Sequence, residues 1–384
     1  MNHLATFKSQ NYINVQDFNA ALDGFTDDSS ALFRANATAI ENNCPIFISG
    51  VLHINSQVTI NAPIVDTTQK IFSSNSKVTI DNGLPVRPDW WGDIQNSINY
   101  ATNSLPSSGG TVILLNKTYK PNNHIYGFDN PESSVFFSKD NVSYIGEKMP
   151  SLSNDCTSLI DGSIIQGQCI AYANNIKFQN IGFDSGLTVM NNYFQGKAFP
   201  GISGEGLLLT YPDNHKKNSG TLRKNARLHN VIGLCMNPSV PTHALIIGEG
   251  YENIECTGEV KGFYGIYGIT IKCSKVKSDN ISSFCNGFSG IIIKSDSKSN
   301  KELNNIYIKN IFADAYGPEG CKPHSIPNGR YGILFFSDTQ KINGIEIENA
   351  KIFNQTNSIG FIGESNISNI KIGSLIQKKP SRTT

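Results

Sequence analysis

One short phrase of alternating residues recurs through the C-terminal half of the chain. It begins with Asn or Gly and then alternates aliphatic with polar residues, as in NIKFQNI at 175–181, NIECTGEV at 253–260, NIYIKNI at 305–311, GIEIENA at 344–350 and NIKIGSL at 369–375. A second phrase lies between these copies, as in HALIIGEG at 243–250, YGITIKCS at 267–274, SGIIIKSD at 289–296, YGILFFSD at 331–338 and IGFIGESN at 359–366. Repetition at a period of roughly 20 to 30 residues indicates a solenoid, in which each repeat buries its apolar face by stacking on its neighbours.

Both phrases have the two-residue period of a β-strand, with aliphatic residues on one face and polar residues on the other. No helical pattern separates them, so we expect successive strands to be joined by turns and to stack coil upon coil. The sequence therefore predicts an all-β fold, a right-handed parallel β-helix. A chain of 384 residues is compatible with one such solenoid.

Two segments near the N-terminus have a different pattern. Residues 17–36 predict a strand-like start followed by an amphipathic helix, with Asp28 or Ser29 as its N-cap. A second short helix is predicted within residues 86–120. Because an open solenoid end exposes strand edges and apolar side chains, we expect these helices to cap the β-helix. The predicted organisation is an N-terminal strand and helix cap region at 1–120, the β-helix at 121–376 and a tail at 377–384.

The composition argues against several classes of protein. With 32 Lys and Arg against 31 Asp and Glu, the net charge is +1, whereas a nucleic-acid binder would show a basic excess or a basic face. No run of about 18 apolar residues occurs, so no membrane insertion is expected. The first residues lack the apolar core and cleavage site of a signal peptide, which predicts synthesis in the cytoplasm without export by that route.

The eight cysteines show neither a CxxC pair nor a regular disulfide framework. We interpret them mostly as buried thiols of a protein folded in a reducing compartment. Because the His and Cys residues lack metal-ligand spacing, neither a metal site nor a cofactor is predicted.

Three N-terminal motifs carry a resemblance to known proteins: DFNAALDGFTDD at 17–28, RPDWWG at 87–92 and GGTVILLNKTY at 109–119. Together they resemble the N-terminal signature of the pectate-lyase-like β-helix superfamily and, more narrowly, bacteriophage tailspike depolymerases. The resemblance covers nearly the whole chain, because the repeats continue to about residue 376. The motifs are specific for the fold and carry little information on the chemistry.

The resemblance implies a phage or prophage homotrimer that binds and cleaves a bacterial surface polysaccharide, a capsule or an O-antigen, by glycosidic hydrolysis or β-elimination. It also implies a place on the virion tail, action at the bacterial surface and a tail adaptor as a candidate partner. Two alternatives stay open: a non-catalytic glycan-binding spike or adhesin, and a uronan C5-epimerase. Pectin hydrolases with this fold carry NTD, DD and GHG motifs on successive coils, and the repeats of this chain contain none of them. The sequence leaves the host, the glycan and the linkage undetermined.

The second phrase supplies candidates for β-elimination. Lys272 and Lys294 fall in one outward column on adjacent repeats, where two ammonium groups repel by about 1 to 3 kcal/mol. Either these lysines bind an anionic partner or they splay apart in solvent. His243, Tyr267 and Tyr331 align at the start of the same strand. The lysines would neutralise a uronate carboxylate, while His or Tyr removes a proton and the other protonates the leaving oxygen. The aromatic side chains are equally interpretable as sugar platforms or as turn packing.

Carboxylates supply the hydrolytic alternative. Glu255 and Asp279 lie diagonally on adjacent repeats with backbones roughly 8 Å apart, within the range used by inverting glycosidases. They also belong to outward columns of alternating charge, and an ion-pair ladder is the favoured interpretation. Glu205 and Glu249, at the margins of the same face, are the other candidate catalytic carboxylates.

Insertions interrupt the turn that leads into the second phrase, at about 185–204, 235–242 and 315–330. Solenoids place such insertions on one side, often the binding side. We therefore expect Asp314, Tyr316 and Arg330 to contact substrate together with Tyr331 and the two lysines.

Asparagines recur at the predicted bend that follows the first phrase: Asn180, Asn230, Asn280, Asn310 and Asn349. Asn tolerates left-handed backbone geometry, and stacked amides can hydrogen-bond one another from coil to coil. We interpret this column as a structural ladder.

Overall fold

The structure is a computed structural model, and it describes residues 12–65, 67–92, 96–120, 134–185, 206–209, 222–235, 243–248, 250–295, 302–318, 321, 331–338 and 340–378. The chain folds as two compact units, residues 1–113 and 114–384. Within the described ranges, none of the helices has the length and apolar character needed to span a membrane.

The first unit contains short parallel strand pairs and both helices. Its strands are β1 (Ile13–Asn14), β2 (Asp23–Asp27), β3 (Ile46–Phe47), β4 (Val51–His53), β5 (Val58–Ile60) and β6 (Val78–Ile80). The pairs are β1 with β3, β2 with β4 and β5 with β6. Its α-helices are α1 (Ser29–Glu41) and α2 (Ser97–Ser104). Two short helices near the N-terminus were predicted and are confirmed, and their predicted role as a cap stays a prediction.

Asp28 is the N-cap residue of α1, but its carboxylate makes no capping hydrogen bond. Buried, it instead accepts the backbone N–H groups of Ala21 (2.6 Å) and Leu22 (3.3 Å). The neighbouring Asp27 accepts the N–H of Ser29 at 3.0 Å and its hydroxyl at 2.5 Å. The paired aspartates therefore fix the entry into the helix, which is a structural role.

The second unit is built from coils that each contain one short and one long strand. Its strands begin with β7 (Gly110–Leu114), which crosses the boundary between the units, and continue with β8 (Thr118–Tyr119), β9 (Ser134–Phe137), β10 (Val142–Gly146), β11 (Ser151–Leu152), β12 (Leu159–Ile160), β13 (Ser163–Gln166), β14 (Gln168–Ala171), β15 (Lys177–Asp184), β16 (Leu207–Leu209), β17 (Arg223–Cys235), β18 (His243–Ile247), β19 (Tyr251–Tyr264), β20 (Tyr267–Ile271), β21 (Ser274–Phe284), β22 (Ser289–Ser295), β23 (Ile306–Asp314), β24 (Tyr331–Ser337), β25 (Ile342–Phe353), β26 (Asn357–Ile362) and β27 (Ile367–Lys378).

Apart from β11 and β12, which form a separate antiparallel pair, these strands stack into two parallel sheets. The short-strand sheet runs in the order β9-β14-β16-β18-β20-β22-β24-β26, and the long-strand sheet contains β10-β15-β17-β19-β21-β23-β25-β27. The two sheets alternate along the chain from β14 onward, so that each coil adds one strand to both. Stacked parallel sheets of this kind confirm the predicted parallel β-helix.

The aliphatic columns align in register from coil to coil. Leu245 pairs with Ile269, which pairs with Ile291 and then Ile333, and each of these side chains is at most 1% exposed. Full burial of one such side chain stabilises a fold by about 1.5 to 3 kcal/mol. Burial of this apolar column therefore contributes strongly to the stacking of one coil on the next.

Two asparagine ladders run along the coils, where one was predicted. In the predicted column, Asn230 Nδ2 donates to Asn180 Oδ1 at 3.1 Å, and Asn310 Nδ2 donates to Asn280 Oδ1 at 2.9 Å. The ladder is interrupted at Gly258, an extra residue whose carbonyl accepts from Asn280 Nδ2. Left-handed geometry occurs only at the first two asparagines of this column, with φ of 56° and 53°.

The second ladder lies where the long strands begin. Asn175 Nδ2 donates to Asn141 Oδ1 and Asn225 Nδ2 donates to Asn175 Oδ1, both at 2.7 Å. All three residues are left-handed, with φ between 54° and 62°. The Asn or Gly that opens the first sequence phrase thus marks a bend that repeats from coil to coil.

One disulfide departs from the prediction of unpaired thiols. Cys156 and Cys321 are bonded, with a Cα–Cα distance of 5.0 Å across 165 residues of sequence. This pair could not be predicted, because its two cysteines have no local spacing relation and meet only when the coils stack. The remaining six cysteines are free thiols, and five of them are buried, as predicted.

Replacing Asn310 with Ala should destabilise the coils around β23. The change removes an amide that donates to Asn280 and accepts from Asn349 Nδ2 at 3.1 Å, and a neutral hydrogen bond of this kind contributes about 0.5 to 1.5 kcal/mol. We expect faster amide hydrogen exchange in β21, β23 and β25. The exposed Asn357→Ala, at the start of β26, is the control and should leave exchange unchanged. Equal effects of both substitutions would show that the ladder contributes nothing.

Candidate functional site

Five side chains lie on the central short strands β18, β20 and β22 or directly after them, and we call this group the short-strand patch: His243, Tyr267, Thr270, Lys272 and Lys294. The strand register places His243 directly beside Tyr267 and aligns β18, β20 and β22. Thr270 is fully buried, and the other four are partly buried. The structure therefore brings together the predicted elimination residues.

His243 is held on two sides. Its ring stacks on that of Tyr267, with centroids 4.9 Å apart and planes 19° from parallel. Its Nδ1 is hydrogen-bonded to the Thr270 hydroxyl of the next coil. Because this contact engages Nδ1, Nε2 is the ring atom left to exchange a proton with a ligand. Thr270 was not predicted, since the hydroxyl that orients His243 lies 27 residues away in sequence.

The surroundings of His243 keep it neutral. Burial, together with the smaller effect of the positive charges of Lys272 and Lys294, lowers the pKa of its imidazole to about 3. Burial also raises the pKa of the Tyr267 phenol, which keeps that group protonated. A neutral imidazole therefore lies against a protonated phenol at physiological pH.

An aromatic row extends from this pair along the coils. Tyr267 packs edge to face on Phe288 at 5.8 Å, and Phe288 does the same on Tyr331 at 5.7 Å. A Cβ on Gly360 would collide with the Tyr331 ring, so the next coil must have glycine there. Phe288 was missed because it precedes the aligned strand, although its place before the SGIII segment is an available signal.

The two lysines lie farther along the same coils, Lys272 directly after β20 and Lys294 within β22. The Lys294 ammonium lies over the Phe336 ring, 5.1 Å from its centroid, and Lys294 pairs in register with Phe336. The backbone N–H of Lys272 donates a hydrogen bond to the carbonyl of Ile247 on the preceding coil, at 2.8 Å. Both lysines are close enough to His243 for their positive charges to act on its imidazole.

The carboxylates Glu255 and Asp279 lie on the long-strand sheet, away from the short strands. Glu255 pairs in register with Arg227 and Lys277, and its carboxylate contacts the Arg227 guanidinium at 3.2 Å. The same column continues to Glu346, which binds Lys371 at 2.5 Å. These contacts support the ion-pair ladder rather than a catalytic pair.

The remaining predicted residues divide into two groups. Asp314 and Tyr316 lie at the end of β23 on the long-strand sheet, where Asp314 Oδ1 accepts the Tyr316 N–H at 3.0 Å and Asn354 Nδ2 at 2.8 Å. Tyr316 is 41% exposed. The other three predicted residues, Glu205, Glu249 and Arg330, lie outside the described residues. Their assignments stay predictions.

Among the residues that the structure describes, no three His, Cys, Asp or Glu side chains converge as metal ligands. A neutral imidazole, a protonated phenol and two ammonium groups can remove a proton, return a proton and bind an anion.

No protein-family model matches the chain, and no curated protein matches it in sequence. Similar solved structures include PfbA, a surface adhesin of Streptococcus pneumoniae, at 10% identity and a TM-score of 0.37, covering 95% of this chain and 91% of that chain. The Dettilon tailspike protein is 14% identical with a TM-score of 0.39, covering 94% and 68%. The A-module of the Azotobacter vinelandii mannuronan C-5 epimerase AlgE6 is 13% identical with a TM-score of 0.32, covering 97% and 100%.

At these identities the similarity concerns the fold alone. The chain is a parallel β-helix protein by the topology of its own sheets. The similar structures are an adhesin, a tailspike and an epimerase module by name. Because proteins that share a fold can differ in function, the function of this chain is inferred from its own side chains.

Replacing His243 with Gln should make the protein less sensitive to acid. In the unfolded chain this imidazole takes a proton near its ordinary pKa of about 6.5, whereas in the fold it resists protonation until about pH 3. The unfolded state therefore gains protons first, and stability is lost as the pH falls below about 6.5. The expected gain for His243→Gln is at most about 2 kcal/mol at pH 5 relative to pH 7.

Urea unfolding of both proteins at pH 7 and pH 5 measures this difference. His229→Gln, which changes a histidine on the long-strand sheet, is the matched control. An identical loss of stability on acidification in wild type and His243→Gln would contradict a neutral buried imidazole.

Proposed function

We propose that this protein binds and cleaves an acidic bacterial surface polysaccharide by β-elimination, as a tailspike-like depolymerase. The observation that carries the proposal is the stacked His243–Tyr267 pair, which holds a neutral base against a protonated acid beside two lysines. β-Elimination of a uronate needs these three components, because the proton on the carbon next to the carboxylate is only weakly acidic.

In this proposal Lys272 and Lys294 bind the uronate carboxylate and stabilise the negative charge that develops as the proton leaves. His243 Nε2 takes the proton from the carbon adjacent to the carboxylate. The electron pair of that C–H bond forms a carbon–carbon double bond, and the glycosidic C–O bond at the neighbouring carbon breaks. Tyr267 gives its phenolic proton to the departing oxygen, and the Thr270 hydroxyl keeps Nε2 directed at the substrate.

Tail location, a homotrimer and a tail adaptor partner belong to the same proposal, since they come with the tailspike resemblance. A polysaccharide is a suitable ligand for a stack of coils, because successive sugar units can contact successive strands about 4.8 Å apart. The ligand would lie along the aromatic row formed by Tyr267, Phe288 and Tyr331.

Two alternatives would use the same site without shortening the polysaccharide. A uronan C5-epimerase would use a proton transfer on either face of the carbon and would leave the chain length unchanged. A non-catalytic spike or adhesin would bind the glycan and release no new ends. Hydrolysis would depend on carboxylates. Of the predicted catalytic carboxylates, Glu255 and Asp279 lie within the described residues, and both belong to the long-strand sheet.

Changing His243 to Ala or Tyr267 to Phe should each reduce cleavage by about 100-fold to 10,000-fold, the usual contribution of a positioned acid or base. The assay incubates the protein with polysaccharides from encapsulated bacteria and follows chain length together with the ultraviolet absorbance of an unsaturated uronate. Tyr307→Phe removes a phenolic hydroxyl from the long-strand sheet and is the matched control. Shortened chains without the absorbance would refute elimination, and wild-type rates in both site variants would refute the assignment.

Replacing both Lys272 and Lys294 with Ala should weaken binding of the acidic polysaccharide and reduce its dependence on salt. Each exposed cationic contact with an anion is screened by added ions, so fewer contacts give a shallower salt dependence. The charge-matched control replaces Lys277 and Lys309, which lie on the long-strand sheet. Equal losses in both double variants would indicate a general charge effect, and unchanged binding in the patch variant would remove the anionic-substrate assignment.

A further inference from the structure

A disulfide-anchored hairpin lies against the outer face of the long-strand sheet. The hairpin is formed by β11 and β12, which pair antiparallel, and Cys156 at its tip is bonded to Cys321. Its inner side packs against an apolar cluster that includes Ile232, Leu234 and Phe263 of β17 and β19. Asp155 fixes the tip by accepting the hydroxyls of Ser153 and Thr157 at 2.6 and 2.9 Å.

Between this hairpin and the sheet lies the hairpin groove, a cavity of about 670 Å³. The hairpin side is formed by residues 149–154 together with Cys156, and the sheet side by Ile232, Glu259, Lys261 and Phe263. Pro318 closes one margin. The volume is within the range of about 300 to 1,000 Å³ that is typical of small-molecule sites.

The groove has an apolar floor and a few polar groups at its rim. Ile232 and Phe263 are each 4% exposed and form part of the floor. At the rim Glu259 and Lys261 form an ion pair with each other, and the exposed Asn154 faces them from the hairpin. An apolar surface with a small number of convergent polar groups is the usual composition of a ligand site.

We propose that the hairpin groove binds a short neutral saccharide segment. The apolar lining matches the C–H faces of a pyranose ring, which the aliphatic side chains of Met149 and Leu152 can cover above the buried floor. The rim supplies a carboxylate acceptor, an ammonium donor and an amide, which together can satisfy hydroxyl groups that both donate and accept. Because one carboxylate balances one ammonium, the groove has no net charge with which to select an anion.

This site is separate from the short-strand patch, because its sheet-side residues belong to the long strands β17 and β19. It rests on the proposed function only in the class of ligand, a carbohydrate. The patch takes an acidic residue for cleavage, whereas the groove takes neutral sugar units and holds them. The two sites can therefore be tested independently.

The disulfide fixes the wall of the groove on the hairpin side. A third sulfur lies close by: a Cβ on Gly317 would collide with Cys285 Sγ and lie 3.5 Å from Cys321 Sγ. If only one partner of the disulfide were replaced, the remaining cysteine would have Cys285 within reach for a new bond. Cys156 and Cys321 must consequently be changed together to release the hairpin cleanly.

The test measures binding of the full chain to an array of purified neutral and uronate-containing bacterial polysaccharides and their oligosaccharides. The groove variant combines Glu259→Gln with Lys261→Met, which removes both rim charges and keeps the side-chain length. Its matched control combines Glu346→Gln with Lys371→Met, an exposed ion pair elsewhere on the long-strand sheet. We expect the groove variant to lose at least tenfold in affinity for a neutral saccharide, with the control within twofold of wild type.

Cys156→Ser combined with Cys321→Ser should weaken the same neutral binding, and the Lys272 and Lys294 double variant should leave it intact. Neutral binding that is unchanged in the groove variant overturns the proposal, as does a wild type that binds no neutral saccharide on the array. A groove variant that alters self-association and no glycan binding would identify the groove as a protein interface and overturn it too. Elimination of an acidic polysaccharide by that same protein would still support the proposed function.

Discussion

The structure depends on the register with which each coil stacks on the one before it. Backbone hydrogen bonds between parallel strands fix the spacing, and the apolar columns through Leu245, Ile269, Ile291 and Ile333 fix the alignment. A slip of one residue would turn every buried side chain outward, so one register is strongly favoured. Because that register is uniform, residues far apart in sequence become neighbours at fixed distances. His243 meets Tyr267 for this reason, and Asn230 meets Asn180 for the same reason.

The same uniformity explains how much of the molecule could be predicted from its sequence. The alternation of apolar and polar residues fixes which side chains stack, so the fold, the outward charge column through Glu255 and the His243–Tyr267 contact were all predictable. The Asn and Gly residues at the bends were also recognisable, although only Asn180 and Asn230 in the predicted column have left-handed geometry. The positions that align can be predicted because the same pattern of residue types recurs in each repeat.

Features outside the repeat could not be predicted. The Cys156–Cys321 bond joins a hairpin to a distant segment, and neither partner lies in a repeating position. The Thr270 hydrogen bond to His243 depends on side-chain orientation between coils, which strand alternation alone does not define. The extra residue Gly258 shifts the register locally and breaks the asparagine ladder. The orientation of the His243 ring and the hairpin side of the groove thus depend on contacts that the repeat does not define, where a pattern-based argument has least to use.

The disulfide also determines how the chain would respond to mechanical tension. A pull on the two ends would pass through the Cys156–Cys321 bond and bypass the segment between these cysteines, which are separated by 165 positions in sequence. That segment, about 580 Å long if fully extended, would be excluded from the stretched length until the bond was reduced. The coils that carry His243, Tyr267, Lys272 and Lys294 all lie within it. The site would stay folded under a load that unravels the strands outside the loop.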